Sequence, residues 1–205
     1  MTDAYLAPTW FIDSDSQAIA RFVERVVGDA TAPIDRAVRL FYAVRDEIAY
    51  DLLGELDLSA GRFRASGVLE RGSGFCVQKA VLLTAACRAA GVPCRLRFAD
   101  VRNHLTTPQL RELMGTDLFL YHGLVEMRLG GRWIKATPAF DIGLCERHGV
   151  RPIDFDGTAD AIFHEFDVRE NRHMEYVVDR GHFADLPHEE IASAFREAYP
   201  RMYEG

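Results

Sequence analysis

The sequence of 205 residues lacks a basic surplus: 24 lysines and arginines stand against 31 aspartates and glutamates, a formal net charge of −7. Nucleic-acid binders ordinarily show the opposite balance, because neutralised phosphates supply most of their affinity, so no nucleic-acid partner is expected. No run of about 18 apolar residues occurs, which excludes a membrane-spanning helix. The opening stretch, MTDAYLAPTWFIDSDS, has neither a basic start nor an apolar core, so no secretory signal is expected and a cytoplasmic location is the default. Lysine is nearly missing, with only Lys79 and Lys135. Cysteine is sparse and forms no C-x-x-C pair. Cys76, Cys87, Cys94 and Cys145 therefore do not suggest a structural zinc site, and in a reducing compartment they are free thiols. Internal repeats and low-complexity linkers are absent as well.

What remains is an ordinary globular composition, 48% apolar and 27% charged, long enough to bury a core without staples. The expected organisation is a single domain over 1–205, with its core over about 15–141 and residues 142–205 as a C-terminal elaboration. Residues 15–29 read as a helix with Ala18, Phe22 and Val26 on one stripe. A second helix should start at Pro33, with Ile34, Val38, Phe41, Val44 and Ile48 close to a 3.6 period. Residues 51–70 read as loop with short helical pieces. The Gly72–Gly74 loop then leads into CVQKAVLLTAACRAA, a strong helix closed by Gly91. CRLRFADV alternates as a strand, and 118–129 with 132–140 form a hairpin around Gly130-Gly131. A last helix is expected over 188–199. Helices followed by strands give an α+β fold.

Cys76 is the residue that invites chemistry. It sits in the first turn of a helix behind a glycine loop, where the macrodipole and unpaired N–H groups favour thiolate. A thiolate nucleophile needs an imidazole, and the hairpin register nominates one. A two-residue turn pairs positions summing to 261, which puts Val125, Ala136, Met127 and Ile134 on a core face. His122, Glu126, Lys135, Thr137 and Ala139 then share the mixed face. A third group should orient the imidazole. Thr137 and Asp141 are the diagonal neighbours of His122, and Asp141, as a carboxylate, has the better chemistry. Cys87 and Cys94 read as core, Glu126 and Lys135 as a cross-strand pair worth well under about 1 kcal/mol if exposed, and the segment His164-Glu165-Phe166-Asp167 with Arg172-His173 as solvated loop. Tyr50 and Trp10 are both possible second oxyanion donors, and local spacing selects neither.

These residues resemble the transglutaminase-like superfamily. SGFCVQKAVLLTAACRAAGVPCRL is similar to its cysteine helix and strand, with Gly74, Cys76, Ala80, Arg88, Gly91, Pro93 and Arg95 in the matching places. HGLVEM resembles its histidine strand, with Leu124 for the usual aromatic, and GRWIKATPAFD its glycine-tryptophan strand. The resemblance covers about 35–141. It implies a papain-like core with an antiparallel sheet, Cys76 as nucleophile and His122 as general base. The family's acidic residue falls at Thr137 here, so either the carboxylate has moved to Asp141, or Thr137 orients the histidine weakly, or activity is lost; the face shared with His122 favours Asp141. The resemblance implies a peptide or other amide-containing substrate and a thioester intermediate, with hydrolysis preferred over transamidation and no metal or other cofactor. The alternative is a non-catalytic module that binds a peptide or partner protein.

Overall fold

The structure is a computed structural model and describes residues 3–54, 56–164 and 166–203. Four helices come first: α1 (Gln17–Val27), α2 (Pro33–Glu47), α3 (Ala65–Arg71) and α4 (Cys76–Ala89). Ser16 caps α1 by accepting the Ile19 N–H, and Pro33 opens α2 where no intrahelical N–H is needed. A short parallel pair, β1 (Ala49–Tyr50) with β2 (Ser73–Gly74), brings the end of α2 to the start of α4. A 3₁₀ turn at Ala60–Phe63 lies between them.

Helix α4 is buried on all sides from Cys76 to Arg88, as befits a central helix. Its two long cations are buried because backbone carbonyls receive them. Lys79 Nζ donates to Arg45 O at 2.9 Å and to Ile48 O at 2.6 Å, which closes the end of α2. Arg88 donates to the carbonyls of Cys94 (3.0 Å), Ala7 (2.6 Å) and Ala184 (2.6 Å).

Against α4 lies an antiparallel sheet in the order β5-β4-β3-β6, built from β3 (Cys94–Asn103), β4 (Leu118–Leu129), β5 (Arg132–Ala136) and β6 (Met174–Phe183). Gly130 and Gly131 both have positive φ, +55° and +80°, as a tight two-residue hairpin turn requires. The register is the one that turn dictates: Val125 faces Ala136, Glu126 faces Lys135, Met127 faces Ile134 and Arg128 faces Trp133. Short helices α5 (Pro108–Met114), α6 (Ile142–His148), α7 (His188–Ala198) and α8 (Pro200–Tyr203) complete the chain.

Three expectations need correction. The hairpin stops at Ala136, because the Thr137 N–H turns away to Ala161 O (2.9 Å) and Pro138 has no N–H to offer. Thr137 and Ala139 therefore do not pair with Leu124 and His122. Glu126 is buried between Arg95 (2.7 Å) and Arg97 (3.0 Å), while Lys135 reaches Asp160 at 3.6 Å. Finally, the segment after 141 does more than decorate: it supplies β6, and it buries His173 and Asp167, which read as solvated loop. Glu165 of that same reading lies outside the described residues.

Candidate active site

Helix α4 starts at Cys76 for a local reason. Phe75 is extended, and the Gln78 side chain accepts its N–H at 3.0 Å, so the first turn is closed from within. Strand β4 then passes directly over that turn at Gly123. A Cβ on Gly123 would lie 2.8 Å from Val77 Cα and 2.9 Å from Cys76 O, so only glycine permits the approach. His122 is the next residue along β4, and this contact brings it to the nucleophile end of α4.

The strand is bent where it does so. Opposite Asp100 the register shifts, and Tyr121 takes φ +49°, an uncommon conformation for a bulky residue. A buried clamp holds it. Asp100 Oδ1 accepts the Tyr121 N–H at 3.1 Å, and Arg180 donates to both Asp100 oxygens at 2.6 and 2.9 Å. The Arg180 guanidinium also stacks 4.0 Å over the Tyr121 ring. No local sequence signal marks this clamp, whose members are 21 and 80 residues from Asp100.

Burial dominates the electrostatics. It pushes the Cys76 thiol up to about 11, opposed by the N–H groups of Gly123, Val77 and Cys76 and by the Tyr50 hydroxyl. Burial also pushes His122 down to about 3. Burial thus favours the neutral form of both the thiol and the imidazole. The dipole and N–H groups that favour thiolate at the helix start are opposed here by the desolvation of a buried charge, which is the larger effect. The same donors that fail to ionise the thiol are well placed for an anion that forms later. Three backbone N–H groups and one hydroxyl converge on the sulfur's surroundings.

The remaining expected residues divide clearly. Asp141 caps α6, with Oδ1 accepting the Leu144 N–H at 2.8 Å and Oδ2 the Tyr50 N–H at 3.0 Å. It makes no hydrogen bond to His122, because α6 begins where the strand was expected to continue. Its link to the site runs instead through Tyr50, whose hydroxyl faces the thiol. His122 Nε2 is buried without a hydrogen-bond partner, and Thr137 is buried beside the Tyr176 hydroxyl. Phe163 packs on the His122 ring at 4.8 Å, and its N–H donates to Tyr176, whose hydroxyl stands next to Thr137. Trp10 is 53% exposed beside Arg64 and takes no part. Cys87 and Cys94 are fully buried, as expected.

Sequence reasoning did not find Gly123, Phe163 or the clamp. A glycine inside an otherwise apolar strand was the available signal for the first. Among the described residues, no three His, Cys, Asp or Glu side chains are grouped so as to hold a metal ion. No described helix is long and apolar enough to cross a membrane.

The fold has known counterparts. In overall structure the chain is similar to a candidate cysteine protease from Cytophaga hutchinsonii, at 15% identity and a TM-score of 0.50, covering 87% of this chain and 53% of that one. The chain thus spans about half the length of that relative. A candidate protease from Parabacteroides distasonis aligns over 64% of this chain and 25% of its own, at 15% identity and a TM-score of 0.41. No curated protein matches the sequence. The family model of the transglutaminase-like superfamily matches residues 20–138, more than half of the chain and the stretch from within α1 through the hairpin, and the chain belongs to that superfamily.

Proposed function

We propose that the protein is a cysteine hydrolase acting on amide bonds of peptides, with Cys76 as nucleophile, His122 as general base and acid, and Thr137 as the orienting group. The observation that carries this reading is the seating of Gly123 on the Cys76–Val77 peptide, which assembles thiol, imidazole strand and N–H donors at one helix end. As the substrate carbonyl arrives, the Cys76 Sγ–C bond forms and the thiol proton passes to His122. The carbonyl oxygen becomes an oxyanion facing the N–H groups around the sulfur. Collapse breaks the C–N bond, His122 gives its proton to the leaving amine, and a thioester remains. Water then attacks the thioester, with its proton passing through His122 to the sulfur, and releases the carboxylic acid. A neutral resting pair suits this sequence, because charge is created only when substrate has replaced water.

Thr137 is preferred over Asp141 as orienter because both Asp141 oxygens are engaged by the Leu144 and Tyr50 N–H groups, while Thr137 and His122 are both buried. The burial that raises the thiol favours a second reading, a module that binds peptide without cleaving it.

Hydrolysis of a fluorogenic peptide amide tests both. Cys76→Ala is expected to abolish turnover, and His122→Ala to reduce kcat by about a hundredfold or more. Thr137→Asp, which supplies the family's carboxylate, should raise kcat, whereas Asp141→Asn should leave the pH profile of kcat in place. Peptide binding with no turnover in wild type or Thr137→Asp would establish the binding module instead.

A further inference from the structure

The space in front of Cys76 is a chamber of about 30 Å³, room for a single water. Its outer wall comes from α7 and α8, through Phe195, Tyr199, Met202 and Tyr203, and none of its lining side chains is charged. Phe195 rests on Phe75, the residue before the nucleophile, with ring centroids 6.1 Å apart. Cys76 keeps only 9% of its surface exposed behind this wall.

Tyr199 does more than fill space. Its hydroxyl accepts the Leu120 N–H at 2.6 Å and donates to Leu118 O at 3.0 Å. Those two groups lie on the edge of β4 away from β3, and β5 covers that edge only over 125–129. An N–H and a C=O two residues apart on one free edge are the groups that an added extended strand uses. One side-chain hydroxyl therefore stands in for a neighbouring backbone, while its ring and those around it form an uncharged apolar chamber beside the thiol.

Resting on the hydrolase reading above, we infer that the substrate is an extended peptide segment with an aromatic or large aliphatic side chain. It pairs with the Leu118–Leu120 edge in place of the Tyr199 hydroxyl, and its side chain enters among the uncharged rings over Cys76, which must part to enlarge the chamber around it. A charged side chain is refused there because nothing in the lining would compensate its desolvation.

Peptidyl acyloxymethyl ketones, which alkylate an active-site thiol, test this on the full chain. Tyr, Leu, Asp or Lys is placed one or two residues from the reactive carbon, and labelling of Cys76 is followed by mass spectrometry. The rate with iodoacetamide, measured on each chain, normalises for thiol reactivity. In wild type the Tyr and Leu probes are expected to label at least about tenfold faster than the Asp and Lys probes. Tyr199→Phe keeps the ring and frees the edge, and should speed the Tyr probe by about fivefold. The probe ratios need no variant. Equal rates across the four probes, or a Tyr-probe rate unmoved by Tyr199→Phe, would overturn the inference. That result leaves the hydrolase reading standing if iodoacetamide labels Cys76 and His122→Ala slows it. Failure of every reagent to label Cys76 in the folded protein would bring down both.

Discussion

The two halves of β4 are built differently. From Val125 to Leu129 the strand is regular, paired in one register with β5 on one edge and over 125–127 with β3 on the other. From Leu118 to His122 it carries a register shift, a positive φ at Tyr121 and an edge tied to a tyrosine hydroxyl instead of a strand. The regular half could be built by any good hairpin. The irregular half exists to bring one imidazole and one free edge to the end of α4, and tertiary contacts hold it there. Strain and an edge without a strand partner collect in the half next to Cys76, on the same strand that is otherwise ordinary.

Substitutions can sharpen or erase this contrast. The largest effect is expected from Gly123→Ala at the junction of the halves. The new methyl meets backbone at 2.8 and 2.9 Å, so β4 must lift off α4. Loss of at least about a hundredfold in kcat/KM is expected, with about 1–3 kcal/mol lost in urea denaturation. Next comes Asp100→Ala, which strips Arg180 and the Tyr121 N–H of their partner. A cost of about 3 kcal/mol is expected, together with a fall in kcat, because the bend behind His122 loses its clamp. Asp100→Asn keeps an acceptor for Tyr121 and should recover part of both.

A smaller effect follows from protons. His122 is held down at about 3 and His173 at about 4, both by burial, against the ordinary 6.5. Between those values and 6.5 the unfolded chain binds protons that the folded chain refuses, so stability is whole above about pH 6.5 and drains as pH falls toward 4. His173→Phe should flatten that slope in denaturation curves taken from pH 7 to pH 4, and a slope identical to wild type would contradict the assignment. The least effect belongs to the regular half: Lys135→Ala removes a half-exposed pair with Asp160 and should change stability by under about 0.5 kcal/mol, with turnover intact.

The same contrast explains what the sequence could tell. Gly130-Gly131 is a local signal, and it dictated the register of the regular half. The run from Cys76 to Gly91 is a local signal too, for the nucleophile helix. The bend at Tyr121 depends on Asp100 and Arg180, and the end of β5 depends on Ala161, a partner 24 residues beyond Thr137. Neither leaves a local pattern, which is why Asp141 was expected on a strand and stands instead at the start of α6. Solvation misled in the same way: a helix N-terminus argues for thiolate until a distant segment buries it. His173 read as solvated because its neighbours are polar, although Phe140 and Phe163 close around it.

The three carbonyls gathered by Arg88 belong to residues 7, 94 and 184. A ribosome delivers them in that order. The first two are available once β3 has emerged, but the third follows β6, so a nascent chain stalled after the hairpin carries a buried guanidinium with one branch unmatched and an open edge on β3. Both the third carbonyl that holds the α4 guanidinium and the aromatic side chains of Phe195, Tyr199 and Tyr203 beside Cys76 are therefore supplied by the segment that follows β6.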